Sequence, residues 1–575
     1  MLHTLLTATG ALAVIAMPVA ANLSSEAEAP QVSQLRYRVE VSELDDATRV
    51  AVALGFVGEV DGTTDIVLPS NWGGEGELWT ALGALQGRSA SSSEPLRIEQ
   101  GDDLARATIH HQPGEALALS YTITPDRTGE PQAALGDYYR PYVEPDWVHL
   151  IGQTIFAFPA SDTEFDVTVA LSAPDGWTLA SDLEQGDLDI NTLLTSVTVA
   201  GDFRVLEDVV DGAAQRVAIR GGHAFTDTDM SQSVRAVLAA NAAYWGTGAE
   251  PFLVTVLPLE ADPGVMSVGG TNLGDAFAFF ATNNAESDIL LRILVHEHVH
   301  TWIPGRVGGS INGETEPAGY WFSEGFTDFL TQRAAVRAGL WSAETAIASW
   351  NEALLEDFNS PVRDAPNDAV ISGFWTDPDF QRLPYHRGMI FAALVDHTIR
   401  SATSGRLDLD DVLLDMQTDP PSEPAPLSFA GRVLAITGVD IAPLVERHMI
   451  NGEPISLPAE TFGACGPVEM ISEPVFVYGM TGQRNADDRY EINAVDPDGP
   501  AAPAGFRPGM VILERLEGAV GNAMVDSVLR VATPEGETLD LRYRPTNGEL
   551  QTYPRISTAA GDLASNGCAA RIGGL

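Results

Sequence analysis

The residues that could do chemistry lie in two short strings, His296-Glu297-His298-Val299-His300 and Trp321-Phe322-Ser323-Glu324-Gly325-Phe326-Thr327-Asp328. Two histidines four apart stand one above the other on a helix, because four residues nearly complete a turn. That spacing aims two imidazole nitrogens at one point, as a tetrahedral zinc ion requires. Glu297 sits beside the pair, where a carboxylate can take a proton from a water at the metal. Glu324 can supply a third ligand and leave a fourth position open, the arrangement of a catalytic rather than a structural site. A chain with 11 histidines in 575 residues would contain the H-E-x-x-H string by chance in roughly one case in a hundred. One zinc ion is therefore the expected cofactor.

The same stretch predicts the helices that position these groups. Ser287 and Asp288 are cap-type residues ahead of the apolar run Ile289, Leu290, Ile293, Leu294, Val295 and Val299. Ile289, Ile293, His296 and His300 share one stripe at helical spacing, whereas His298 points to the other side and reads as a packing or surface residue. Pro304-Gly305 then stop the helix. Glu314 and Glu316 also follow His300, but Gly308 to Pro317 reads as loop. Glu324 belongs to an apolar, aromatic segment that continues as a helix through Leu330 and Val336. Asp328, one turn further, can accept the second N–H of a ligating histidine and fix its tautomer. Glu324 is accordingly favoured as the third ligand over its acidic neighbours.

Upstream, residues 31–201 alternate in strand-like runs such as Leu35–Val41 and Phe165–Val169, punctuated by Pro, Gly and Asp, as in a β-sandwich-like domain. Phe252–Leu257 reads as a buried strand, and Ser342 to about Met449 has helical periodicity. Residues 1–21, with an apolar run from Leu5 to Val19 ending in small residues, resemble a secretory signal peptide and are too short to span a bilayer. The mature protein is expected to be exported, periplasmic or extracellular, with no membrane span. Net charge is −48, from 32 Lys+Arg against 80 Asp+Glu, and every basic residue is arginine. That balance repels nucleic acid and anionic membranes, which excludes them as expected partners. Two cysteines, Cys465 and Cys568, are too few to build a disulfide framework.

The two chemical strings resemble those of the gluzincin zinc metallopeptidases, in particular the glycyl aminopeptidase family, a relative of aminopeptidase N. A third string, Pro384-Tyr385-His386-Arg387-Gly388, is similar to the family's Tyr-x-Lys-Gly, with Arg387 in place of lysine. A weaker likeness extends upstream to His149–Phe156. Gly499–Leu513 is similar to the small-residue helix and Gly-led strand of the PDZ domain that this family carries. The resemblance implies an α+β multidomain chain: a β-sandwich-like domain over 31–201, a thermolysin-like α/β catalytic domain over 202–345, a helical domain over 346–458 and a PDZ-like β domain over 465–570. It implies zinc on His296, His300 and Glu324, Glu297 as the base, and a hydroxyl donated by Tyr385 to the tetrahedral oxyanion.

A peptide or protein substrate is implied, added as an extra strand along Gly269, Gly270, Thr271 and Asn272. The relatives carry a glutamate in this stretch that holds the substrate's free amino terminus, and Gly269–Asp275 has none. Asp275 or Glu314 would have to replace it. The expected activity is zinc-dependent aminopeptidase action on small N-terminal residues. The alternatives are an endopeptidase of the same mechanism and a non-catalytic, PDZ-type peptide-binding scaffold. Cys465 and Cys568 bracket the last segment, 103 residues apart (568 − 465), and export permits them to form a disulfide that closes it.

Overall fold

The computed structural model describes residues 34–574 except 45–46, 93, 135–138, 162–163, 185–187, 263–264, 312, 486–488 and 559–565. The signal-like segment 1–21 lies outside the described residues. The architecture is mixed α/β, with several sheets and helical layers.

The alternating runs at the N-terminal end form three sheets. Gln34–Leu44 buries Leu35, Tyr37, Val39 and Val41 on one face. It pairs antiparallel with Ala47–Val57 on one side and parallel with Asp166–Ser172 on the other. A four-stranded sheet containing Trp147–Ile151 and Val197–Gly201 lies at the end of this region and covers the next one.

That next region is built on five strands: β1 (Arg204–Val210), β2 (Ala213–Ile219), β3 (Phe252–Pro258), β4 (Val268–Asn272) and β5 (Ala276–Ala281). Their order is β1-β2-β3-β5-β4, with β2, β3 and β5 parallel and β4 an antiparallel edge. Strand alternation assigns each side chain to a layer. Val254, Val256, Phe277 and Phe279 face Val234, Leu238, Leu290 and Leu294 on helices α1 (Asp227–Trp245) and α2 (Ser287–Val299). Leu253, Leu257, Ala278 and Phe280 face Trp147, Val197 and Val199 of the covering sheet. A strand buried on both faces has no polar alternation, which is why Phe252–Leu257 reads as a continuous apolar run.

His149 is sealed between these two sheets. It is fully buried, its ring stands edge-on to Phe280 at 5.2 Å, and among the described residues neither ring nitrogen has a hydrogen-bond partner. Burial pushes its pKa from 6.5 down to about 3. A base depressed on folding gives stability that is complete above pH 6.5 and drains away as the pH falls from 6.5 towards 3. Between pH 7.5 and 4.5 this one group is expected to remove about 2–3 kcal/mol. Urea unfolding of His149→Leu should show a pH dependence flatter by that amount; an unchanged slope would assign the loss to other groups.

Residues 325–450 are mostly helical: α3 (Gly325–Arg337), α4 (Ala343–Asn359), α5 (Pro378–Thr403), α6 (Leu409–Thr418) and further turns up to Ile450. Their shared core includes Phe326, Trp350, Phe391 and Phe429. Buried charges tie the helices together. Arg333 of α3 bonds Asp396 of α5 at 3.0 Å and also Asp410 of α6, while Arg571 of α7 (Asn566–Gly573) bonds the other oxygen of Asp396 at 3.0 Å.

The C-terminal part holds a two-stranded ribbon, β6 (Val468–Pro474) with β7 (Leu550–Ile556), and a separate five-stranded antiparallel sheet spanning Met480–Tyr543. Ile492, Phe506, Leu529 and Val531 fill the core of that sheet. Among the described residues its one helix is the four-residue Ala501–Ala504. Cys465 and Cys568 are joined in a disulfide, which pins α7 to the entry of this segment. In the chain-entropy picture a loop of this length contributes at most ~4.7 kcal/mol.

Candidate metal centre and active site

Helix α2 carries the first chemical string. Its N-cap is Glu286, not Ser287 or Asp288, so Ser287 is already the first helical residue. Leu290, Leu294 and Val295 face the sheet, and His296 and His300 emerge on the side towards α3. The helix reaches His300 at its C-cap, before Pro304 and Gly305. The segment Gly313–Gly319, which reads as loop in sequence, is a 3-10 helix leading into the short helix Tyr320–Ser323. Such tight turns commonly introduce a helix. Glu324 lies at the joint between that turn and α3.

The ligand geometry is a compact triangle. The Nε2 atoms of His296 and His300 are 3.1 Å apart, and each is 3.3 Å from Oε2 of Glu324. A tetrahedral zinc with bonds of about 2.0–2.1 Å has ligand atoms about 3.3–3.4 Å from one another. The outer nitrogens are committed as donors. Nδ1 of His296 donates to Asp328 at 2.9 Å, and Nδ1 of His300 donates to the carbonyl of Ile303 at 2.8 Å. Each imidazole is thereby left with an Nε2 lone pair directed at the shared point. The three residues therefore fit a zinc ion, and among the described residues they are the one group of histidine, cysteine and acid with metal-ligand spacing.

The electrostatics agree with that use. Burial works against the Glu324 charge, but the His300 and His296 imidazoles outweigh it and hold the carboxyl well below its ordinary range. Burial raises the pKa of Glu297, only partly offset by the two histidines. A carboxylate desolvated in this way is a stronger proton acceptor. The Glu297 carbonyl accepts from Nδ2 of Asn272 at 2.9 Å, which fixes the edge strand β4 against α2.

Tyr385 comes from α5, more than 50 residues later in sequence, and its ring stacks beside His296 at 6.1 Å. Burial, with the Glu324 carboxylate next in effect, raises its pKa and keeps the hydroxyl protonated. Its position depends on two glycines. A Cβ on Gly325 would fall 2.3 Å from Cα of Gly388, and one on Gly388 would fall 2.0 Å from the carbonyl oxygen of Trp321. Backbone therefore meets backbone where α5 crosses the start of α3. Arg387 turns away from the metal and donates to the carbonyl of Arg363 at 3.0 Å.

Residues 289–372, which include His296, His300 and Glu324, match the sequence model of the M61 glycyl aminopeptidases. The chain is a zinc metallopeptidase. Its fold is similar to that of an aminopeptidase N family protein from Idiomarina loihiensis, with a TM-score of 0.64 and 13% identity over 93% of this chain and 100% of that chain. An M1 zinc metallopeptidase from Deinococcus radiodurans matches with a TM-score of 0.46 and 16% identity, over 74% of this chain and 96% of that chain. No curated protein matches the metallopeptidase by sequence.

The remaining residues singled out in sequence fall in several places. Gly269, Gly270, Thr271 and Asn272 lie on the edge strand β4 of the metallopeptidase, where a Cβ on Gly270 would be 2.4 Å from the ring of Phe277. Tyr139, which the sequence does not single out, donates its hydroxyl to the carbonyl of Gly270 at 2.7 Å. His298 is buried on the other side of α2, accepting from Asn241 at 2.8 Å and packing against Phe252 and Trp302. Asp275 lines a small cavity with His298 and Trp302, on the side of α2 away from the metal ligands. Glu314 is exposed. Glu316 approaches the site more closely: after burial, its charge is the largest influence raising the pKa of the Tyr320 hydroxyl, which also feels the charge of Glu324. No helix among the described residues is long and apolar enough to cross a membrane.

Proposed function

We propose that this metallopeptidase is an exported aminopeptidase that removes small N-terminal residues such as glycine or alanine. The observation that carries peptide hydrolysis is the triangle of His296, His300 and Glu324 with buried Glu297 beside it. His296, His300 and Glu324 would hold a single zinc ion, whose chemistry when bound would be polarisation of the scissile carbonyl and acidification of a water. Glu297 accepts the proton and passes it to the leaving amine. Tyr385, kept protonated, donates its hydroxyl to the developing oxyanion, a contact of a kind worth ~2.7–4 kcal/mol. Asp328 holds the tautomer and orientation of His296.

The extended substrate lies along Gly269–Asn272 as an added strand. With Asp275 on the far side of α2 and Glu314 in solvent, Glu316 is the acid best placed to receive the substrate's ammonium. The family match supports the preference for small N-terminal residues. Residues 202–345 act as a thermolysin-like catalytic domain between the β-sandwich-like domain of 31–201 and the helical domain of 346–458. The sheet within 465–570 is a PDZ-like module, supported by its five antiparallel strands and the Ala501–Ala504 turn. The disulfide supports export, since such bonds persist in oxidising compartments.

The test compares Gly-Ala-Leu-Leu with its N-acetylated form, using purified zinc-loaded protein and product analysis by mass spectrometry. An aminopeptidase releases glycine from the free peptide and leaves the acetylated one intact. Equal cleavage of both, or internal fragments as first products, would make the enzyme an endopeptidase.

A further inference from the structure

The face of α2 that presents His296 continues towards the start of the helix as Arg292, Ile293 and Ile289. Ile289 and Ile293, which the metal site does not use, line a groove of about 660 Å³. Its other walls include Trp341, Leu355 of α4 and Tyr553 of β7. Ser349, also in the lining, is held at 3.0 Å by buried Gln332, one turn beyond Asp328 on α3. The groove thus begins one turn of α2 before His296, and its Ser349 is bonded to Gln332, one turn of α3 beyond Asp328.

Two charged side chains on its rim are already engaged or repelling: Arg555 is paired with Glu473 at 2.8 Å, and Glu352 is exposed. Arg292 differs. It is exposed in the lining and has no ion-pair or hydrogen-bond partner among the described residues, in a chain whose acids outnumber its bases 80 to 32. Arg292 stands one turn before His296, about 6 Å along the axis, and Ile289 lies about 10 Å before it. An extended peptide advances about 3.3 Å per residue, so one running along α2 from the metal centre would bring its second and third residues beyond the scissile bond to these positions.

We propose that this groove receives the downstream part of the substrate, with an apolar side chain against Ile289 and Ile293 and a carboxylate on Arg292. The carboxylate can come from the C-terminus of a short peptide or from an aspartate or glutamate side chain. The proposal rests on the peptidase reading above and adds a specificity determinant to it. Arginine matches a carboxylate in geometry as well as charge, and the apolar wall strengthens the contact by excluding water.

The test reads binding rather than turnover. Zinc-loaded Glu297→Gln protein is titrated by calorimetry with Gly-Ala-Leu, Gly-Ala-Leu-amide and Gly-Ala-Leu-Glu-amide. The free acid is expected to bind about tenfold tighter than the amide, a difference of one charge-assisted contact. Adding Arg292→Gln should erase that difference. If the glutamate peptide binds like the free acid, a side-chain carboxylate serves as well as a terminal one; if it binds like the plain amide, the site reads the C-terminus. Equal binding of acid and amide, a difference that survives Arg292→Gln, or no binding of any probe would overturn the proposal. Hydrolysis of Gly-Ala-Leu by the native protein, scored separately, shows whether the peptidase reading stands on its own.

Discussion

Glu297→Gln is expected to keep its zinc and lose hydrolysis, by a factor of about 10²–10⁴. Glu297 is not one of the three residues that converge, so the metal affinity set by His296, His300 and Glu324 should be unchanged. What disappears is a desolvated carboxylate that is not needed to hold the metal, and an amide of the same shape cannot accept the proton. Metal analysis after dialysis and initial rates on a tripeptide measure the two halves of this expectation. Turnover near that of the native protein would remove Glu297 from the mechanism, and loss of the zinc would make it a ligand.

The largest expected loss of stability comes from Arg333→Met. Arg333 is 4% exposed and Asp396 is 3% exposed, and the arginine answers both Asp396 and Asp410. Removing one partner of a buried ion pair leaves charge without solvent or counter-charge, at a cost of about 3–5 kcal/mol. Arg571 and Arg337 also reach these two acids, at 3.0 and 3.1 Å, so the lower part of that range is the expected value. The denaturation midpoint in urea gives the number directly. A loss below about 1 kcal/mol would mean that those neighbours alone neutralise the acids. Converting Asp396 and Asp410 to leucine in the same protein should recover much of the loss, because apolar replacements remove the stranded charges.

The parts of this site that were legible in the sequence are those fixed by local geometry. Two histidines four apart on one helix need only the helical pitch to converge, and their nitrogens lie 3.1 Å apart. Asp328 follows Glu324 by one turn, which is again enough to set its contact with His296 at 2.9 Å. Tyr385 could be placed only by resemblance, since nothing in its own neighbourhood points to a ring beside His296. The double covering of β3 and β5 was equally hidden, because an apolar run such as Phe252–Leu257 states that both faces are buried and not by what. Arg292 and Ile289 read as ordinary residues of an amphipathic helix until α4 and β7 supply the facing walls. The position of Glu316 is hidden for a related reason: the tight turn that carries it looks like an open loop in the string Gly308–Pro317.

The crossing at Gly325 and Gly388 makes the second and third chemical strings one object. One glycine follows the ligand Glu324 and the other lies three residues after Tyr385, and their main chains touch with no room for a methyl group on either. The distance from Glu324 to Tyr385 is therefore set by the thickness of two bare backbones, not by a side chain that a neighbour could compensate. In evolutionary terms the pair is locked: neither position can drift alone, and no second-site change in a flexible side chain can rescue a substitution there. A lineage could escape only by moving the whole of α5, and Tyr385 would leave His296 with it.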